Sequence, residues 1–173
     1  MTQPMPHRFP GLTFAAIAAE LAREAQARIK VHTRELERGR ITRADLAREA
    51  ALIAAWQHDC RRMAALQPGQ NPNSAEFNSA HPELVEGHGL TWRARTNGLE
   101  RELRLRGQVY PKEIEQGRLT AAQAAHQLRC LEALRTIYHD GLDWPANPEQ
   151  RAALYAEIQG QRHPTTQQQE LAL

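Results

Sequence analysis

Four residues stand in an order that could do chemistry: His32, then His58-Asp59, then Asp140. Two imidazoles and two carboxylates brought together could bind a divalent ion and activate a water for attack on a phosphoester. A second set, His126 and Cys130 at i,i+4 with His58 and Cys60 within one turn, offers the donors that zinc takes. Zinc asks for four ligands arriving as tight pairs, and the chain has no Cys-x-x-Cys. It also has no Gly-rich phosphate loop, dinucleotide fingerprint or Gly-x-Ser-x-Gly elbow. Neither cysteine has the His and Asn pattern that would recommend it as a nucleophile. The expectation is a chain without catalytic residues, metal site or cofactor.

The elements that must position those side chains are given by a duplication. Leu21–Met63 and Leu99–Gly141 align without a gap at an offset of 78, with 13 identities in 43 positions, enough to read one unit twice. That register sets Tyr110 against His32 and Thr136-Ile137 against His58-Asp59, so the shared scaffold fixes neither part of the metal order. The order is similar to that of the all-helical HD-type metal phosphohydrolases. The context AAWQHDCRRM, however, lacks the small and glycine residues that usually follow the pair there.

Each copy reads as an antiparallel helical hairpin. The first helix is expected from Thr13 to about Arg38, with Phe14, Ile17, Leu21, Ala25, Ile29, His32 and Leu36 on its apolar side. Gly39 stops it, and Thr42 with Asp45 opens the next helix as a capping box, Ile41 and Leu46 forming a staple. That second helix carries Leu46, Ala50, Ile53, Trp56 and Cys60 to about Ala65. In the second copy Gly117, Thr120 and Gln123 repeat the corner, and the apolar positions are Leu99, Leu103, Val109, Tyr110 and Ile114, then Leu128, Leu131, Leu134 and Tyr138. Pro111, in place of Thr33, removes a backbone donor, so this helix is expected to kink near Val109–Tyr110.

The resulting fold class is all-α. Two tandem antiparallel hairpins, 12–66 and 99–141, form a helical bundle behind a flexible leader, 1–11. A Pro/Gly/Asn-rich linker, 67–98, is expected to be partly disordered. Within it His81–Gly87 (HPELVEG) resembles a peptide produced where a dispersed bacterial palindromic repeat enters a coding frame. The segment 142–173 reads as a turn, a short helix at Pro148–Ile158 and a Gln-rich tail from Gln161. Two small hairpins bury little surface alone, so they must stack on each other or on a second chain.

Composition narrows the partners. Aromatics are 5% of the chain, which leaves the core to Leu, Ile and Ala, and the net charge of +2 does not by itself imply a polyanion. Cysteine usage and the absence of an apolar run long enough to span a bilayer point to a soluble, cytoplasmic chain. Lysine occurs only at Lys30 and Lys112, so nearly every cation is arginine, a bias that a GC-rich genome also produces. Arg93, Arg95, Arg101, Arg104 and Arg106 gather beside Trp92, and Arg23, Arg28, Arg34 and Arg40 match Arg101, Arg106, Lys112 and Arg118 in the other copy. Such basic helices could track a nucleic-acid backbone. Glu24–Arg28, Glu100–Arg104 and Glu102–Arg106 also read as ordinary i,i+4 surface pairs.

Copy two carries Glu102-Leu103, Val109-Tyr110-Pro111-Lys112, Ile114, Gly117-Arg118-Leu119-Thr120, Ala124 and Leu131-Glu132-Ala133-Leu134. In these residues it is similar to small helical proteins of unknown function encoded in phages and prophages. The resemblance implies a mobile-element accessory protein that acts by binding and carries over no activity. The expected function is a non-enzymatic adaptor for a protein or nucleoprotein complex, self-associating, with direct DNA or RNA binding as the alternative. The expected contact residues are Trp92, Arg93, Arg95, Arg101, Arg104, Arg106, Tyr110 and Lys112. Trp92 would stack on a base or fill a pocket.

Overall fold

The computed structural model describes residues 9–66, 70–80, 89–140, 142, 143, 149, 152, 153 and 156. Among them are five helices and no strand: α1 (Phe14–Glu37), α2 (Arg43–Ala65), α3 (Ala75–Ala80), α4 (Trp92–Glu115) and α5 (Ala121–His139). None of the described helices is long and apolar enough to cross a membrane. α1 packs on α2 and α4 on α5 as the two expected hairpins, and the hairpins meet through α1 with α5 and α2 with α4.

The corners explain why both copies turn at the same place. Gly39 and Gly117 sit at φ 67° and 70°, a conformation that costs any residue with a Cβ. There Gly39 N–H bonds Leu36 O at 3.0 Å and Arg40 N–H bonds Glu35 O at 2.9 Å, and Gly117 and Arg118 repeat both bonds onto Ile114 and Glu113. Arg40 also pairs with Glu35, and Arg118 with Glu113. Across each turn the capping boxes close, Thr42 with Asp45 and Thr120 with Gln123. Gly39→Ala and Gly117→Ala should therefore each lower unfolding free energy by about 1 kcal/mol. Urea melts would check this, and unequal losses at the two corners would contradict their equivalence.

The repeat is longer than the gapless alignment suggested. Gly11-Leu12-Thr13-Phe14 and Gly89-Leu90-Thr91-Trp92 occupy the same positions, with both glycines at positive φ and both threonines capping a helix. This corrects the expected linker at 67–98. Its last residues form the first turns of α4, and Ala75–Ala80 form α3, which buries Phe77 completely. Gln67–Gly69 and the HPELVEG stretch lie outside the described residues. Of the expected C-terminal helix, Glu149, Ala152, Ala153 and Ala156 are helical, and the rest of it and the Gln-rich tail lie outside them too. Pro111 lies inside α4 without ending it.

Contacts climb α2 as they descend α4. Glu49 meets Arg101 at 2.5 Å, Leu52 packs over Gly98, and Trp56 Nε1 donates to Arg95 O at 3.2 Å. The approach at Gly98 is so close that a Cβ would lie 2.8 Å from Leu52 Cδ2. Because α2 and α4 run antiparallel, and each hairpin is itself antiparallel, both corners lie at one end of the bundle. The core fills the other end, with Phe14, Ile17, Leu21, Ile53, Trp56, Trp92, Leu99, Leu131, Leu134 and Tyr138 in one cluster. Each such side chain contributes about 1.5–3 kcal/mol by leaving water. The apolar stripe continues past this core. Ile29, which lines a groove between α1 and α2, is 55% exposed, and Val109 of α4 is 39% exposed.

Candidate functional site

The expected contact residues divide into two groups once α4 is in place. Trp92 is a core residue that donates from Nε1 to Tyr138 O at 3.4 Å, so its ring is unavailable for stacking on a base. Arg95 and Arg106 are buried as well, at 2% and 4% exposure. Arg93, Arg101, Arg104 and Lys112 are exposed, and Tyr110 is half-buried. The cluster is therefore two opposite sides of one helix, not a single basic face. The inward side faces carboxylates supplied by other elements.

At the closed end, Arg95 lies in a buried network. Its Nη1 donates to Asp59 Oδ2 at 2.6 Å and its Nη2 to Asp143 Oδ2 at 2.7 Å, while Tyr138 OH donates to the same Asp59 oxygen at 2.5 Å. The guanidinium also stands 5.3 Å from the Tyr138 ring centroid. Burial, followed by the Asp59 charge, raises the Tyr138 pKa well above the ordinary phenol value. Burial would lower the Arg95 pKa, but Asp59, Tyr138 and Asp143 outweigh it and raise it. Arg62 extends the network, reaching Asp143 Oδ1 and Pro72 O, each at 2.5 Å, and so ties the segment before α3 to the bundle. Arg95 pairs with Asp59 and Asp143, and Arg62 with Asp143, an arrangement that holds α2, α4 and α5 together and leaves the Asp143 carboxylate partly open to solvent.

The two candidate metal orders weighed from sequence do not assemble among the described residues. Asp59 is consumed by Arg95 and Tyr138, His32 lies on the far half of α1, and Asp140 is the exposed cap of α5. Among the described residues no three His, Cys, Asp or Glu side chains are grouped to hold a metal ion. His126 Nε2 lies 3.7 Å from Cys130 Sγ, and burial pushes that thiol up to about 11. The Cys60 thiol is pushed up further, first by burial and then by the Asp59 charge. Both are poor nucleophiles.

The second centre joins the two copies. Glu24 and Arg28 of α1 are the equivalents of Glu102 and Arg106 of α4, and the four exchange partners. Arg28 bonds Glu102 and Arg106 bonds Glu24, while the pairs within each helix close at 2.6 Å (Arg28–Glu24) and 2.7 Å (Arg106–Glu102). Burial alone would raise the Glu102 pKa, but Arg28 and Arg106 more than offset it and hold the carboxyl below its ordinary value. The same contest resolves upward for Arg106, where Glu24 and Glu102 overcome burial. Arg106 lies 5.6 Å from the Tyr110 ring centroid, and Tyr110 OH bonds Gln127 of α5. Burial raises that phenol to about 12. Of the three pairs read from sequence as surface i,i+4 contacts, Glu24–Arg28 and Glu102–Arg106 are the two halves of a quartet whose α4 side is buried, and Glu100 pairs at 3.6 Å with Arg135 of α5 in place of Arg104.

Beyond this quartet, toward the corners, α1 and α4 border an open cleft of about 310 Å³. Its walls are equivalent residues of the two copies: Ala27 and Val31 on α1, Leu105 and Val109 on α4, with His32 and Tyr110 beside them. Val31 is 55% exposed and Leu105 50%. Sequence reasoning placed Tyr110 and Arg106 near a surface but missed Val31 and Leu105. The signal was an apolar residue repeated at positions 31 and 109, off the face that carries the core. No protein-family model matches the chain, and no curated protein or solved structure matches it.

Proposed function

We propose that the chain is a non-enzymatic adaptor whose binding surface is the cleft between α1 and α4. The observation that carries this reading is the apolar wall of Ala27, Val31, Leu105 and Val109, left open to solvent above the paired quartet. An apolar groove between helices is the kind of surface into which a partner's side chains insert. The buried polar groups support the same conclusion from the other direction. The Asp59–Arg95–Tyr138 network is spent on holding α2, α4 and α5 together, and the quartet on holding α1 to α4. Membership of a phage or prophage complex belongs to this proposal as the setting in which the groove would be filled, and self-association belongs to it through surfaces other than the groove.

The test is proximity in the cell. A photo-reactive residue in place of Val109 should give discrete cross-linked protein adducts in cells that normally make this chain. The same residue in place of Glu132, exposed on α5, should not. If position 109 gives only the free chain, the adaptor reading falls. A second reading, nucleic acid held by the arms, draws on the exposed Lys30, Arg34, Arg104 and Lys112, none of which is in an ion pair among the described residues. Duplex affinity that falls steeply with salt would favour it, and a flat response would sink it.

A further inference from the structure

We propose that the α1–α4 cleft accepts one amphipathic helix of a partner protein, with an apolar face for the walls and acidic residues on its flanks. This rests on the adaptor reading and adds the chemistry of the partner. The shape comes first. A volume of about 310 Å³ lies at the low end of small-molecule pockets, and this cleft is open rather than enclosed. It suits a few large apolar side chains presented from outside, as a helix does with residues at i, i+3, i+4 and i+7.

The charge pattern selects among helices. Inside the cleft the quartet is self-neutralised, two arginines on two glutamates. Breaking it to meet a charged ligand would uncover a buried ion, so the inner end favours apolar groups. At the rim the balance changes. Arg34 stands three residues beyond Val31, and Lys112 three residues beyond Val109, at equivalent positions of the two arms. Both are exposed, and neither is in an ion pair among the described residues. Lys30 beside Val31 and Arg104 beside Leu105 add two more exposed cations. Of the glutamates at the corners, Glu35 and Glu113 are occupied by Arg40 and Arg118, while Glu37 and Glu115, exposed at the ends of α1 and α4, stand six residues beyond Val31 and Val109, one turn further from the apolar walls than Arg34 and Lys112. An apolar trough with uncommitted cations at both rims complements an apolar helix face bordered by carboxylates, and repels the same face bordered by lysines.

The experiment uses the full chain and two labelled synthetic helices. Both carry Leu at i, i+3, i+4 and i+7; one has Glu at all flanking positions and the other Lys. Fluorescence anisotropy should show the Glu helix binding at least roughly ten-fold tighter. Val31→Asp with Val109→Asp should abolish binding of both. Arg34→Glu with Lys112→Glu should reverse the preference, and these four positions are solvent-exposed, so unchanged circular dichroism and melting are expected alongside. Equal affinity for the two helices, or a preference that survives the charge reversal, overturns the proposal. So does a concentration-dependent dimer in sedimentation that Val31→Asp dissolves, because the groove would then belong to a second copy. Cross-links from position 109 together with no preference for the Glu helix would leave the adaptor reading standing and remove the acidic helix alone.

Discussion

Arg95→Ala is expected to destabilise the protein by about 3–5 kcal/mol, enough to leave it largely unfolded at ordinary temperature if its total stability is typical. The reason is what the arginine leaves behind. Asp59 is fully buried and its Oδ2 takes hydrogen bonds from both Arg95 and Tyr138. Removing the guanidinium leaves a carboxylate inside the core with a phenol as its remaining donor on that oxygen, and strips Asp143 of one of its two arginines. A buried ion pair gains little over a well-packed apolar pair of similar volume, but half of one is costly. The double variant Asp59→Asn with Arg95→Met should therefore recover much of the loss. Urea denaturation of the single and double variants gives the comparison. A double variant as unstable as Arg95→Ala would mean that the network contributes through its geometry and not through the cost of an unmatched charge.

Acid should unfold the protein partly through Glu102. Its carboxyl is held below the ordinary carboxylate value because Arg28 and Arg106 overcome the effect of burial. A group with a depressed folded pKa contributes stability above its unfolded value of 4.5, and that contribution is lost as pH falls through the lower folded value. The unfolding free energy should thus decline below about pH 4.5, and Glu102→Gln should flatten that decline. At neutral pH the substitution leaves Arg106 with Glu24 alone and Arg28 with Glu24 and the more distant Glu49. A cost of about 3 kcal/mol is expected there, set by the buried Arg106. Denaturant titrations at a series of pH values measure both effects. If Glu102→Gln and the parent chain lose stability in parallel on acidification, the quartet is not the acid-sensitive element.

The hairpins were readable because their instructions are local. Gly39, Thr42 and Asp45 act within one turn of one another, and Gly117, Thr120 and Gln123 do the same. Partners within a helix were readable for the same reason, so Glu102–Arg106 was found. The bonds from Arg28 to Glu102 and from Arg106 to Glu24 join residues 74 and 82 positions apart, and no spacing rule signals them. Trp92 was misread because it stood next to arginines inside a stretch of Pro, Gly and Asn. Its equivalence to Phe14 lies in the short Gly-Leu-Thr-aromatic match that precedes both hairpins. Arg95 has Ile17 as its equivalent, and a charge at a core position makes sense only once Asp59 and Asp143 are seen to face it. The cleft was illegible for a different reason. Val31 lies off the apolar side read for α1 and Val109 was read as part of that of α4, and no pattern within either helix says that the two face one cleft.

The exchange of partners between Glu24, Arg28, Glu102 and Arg106 gives the duplication a different character from that of stacked repeats. In a solenoid each unit meets its neighbour through an interface that can be lost or multiplied, and the chain tolerates changes in copy number. Here each half completes the ion pairs of the other. The two hairpins are thus obligate complements, closer to the subunits of a dimer joined on one chain than to links of a series. A third copy would find the four groups of this quartet already paired with one another, so the exchange is complete with two.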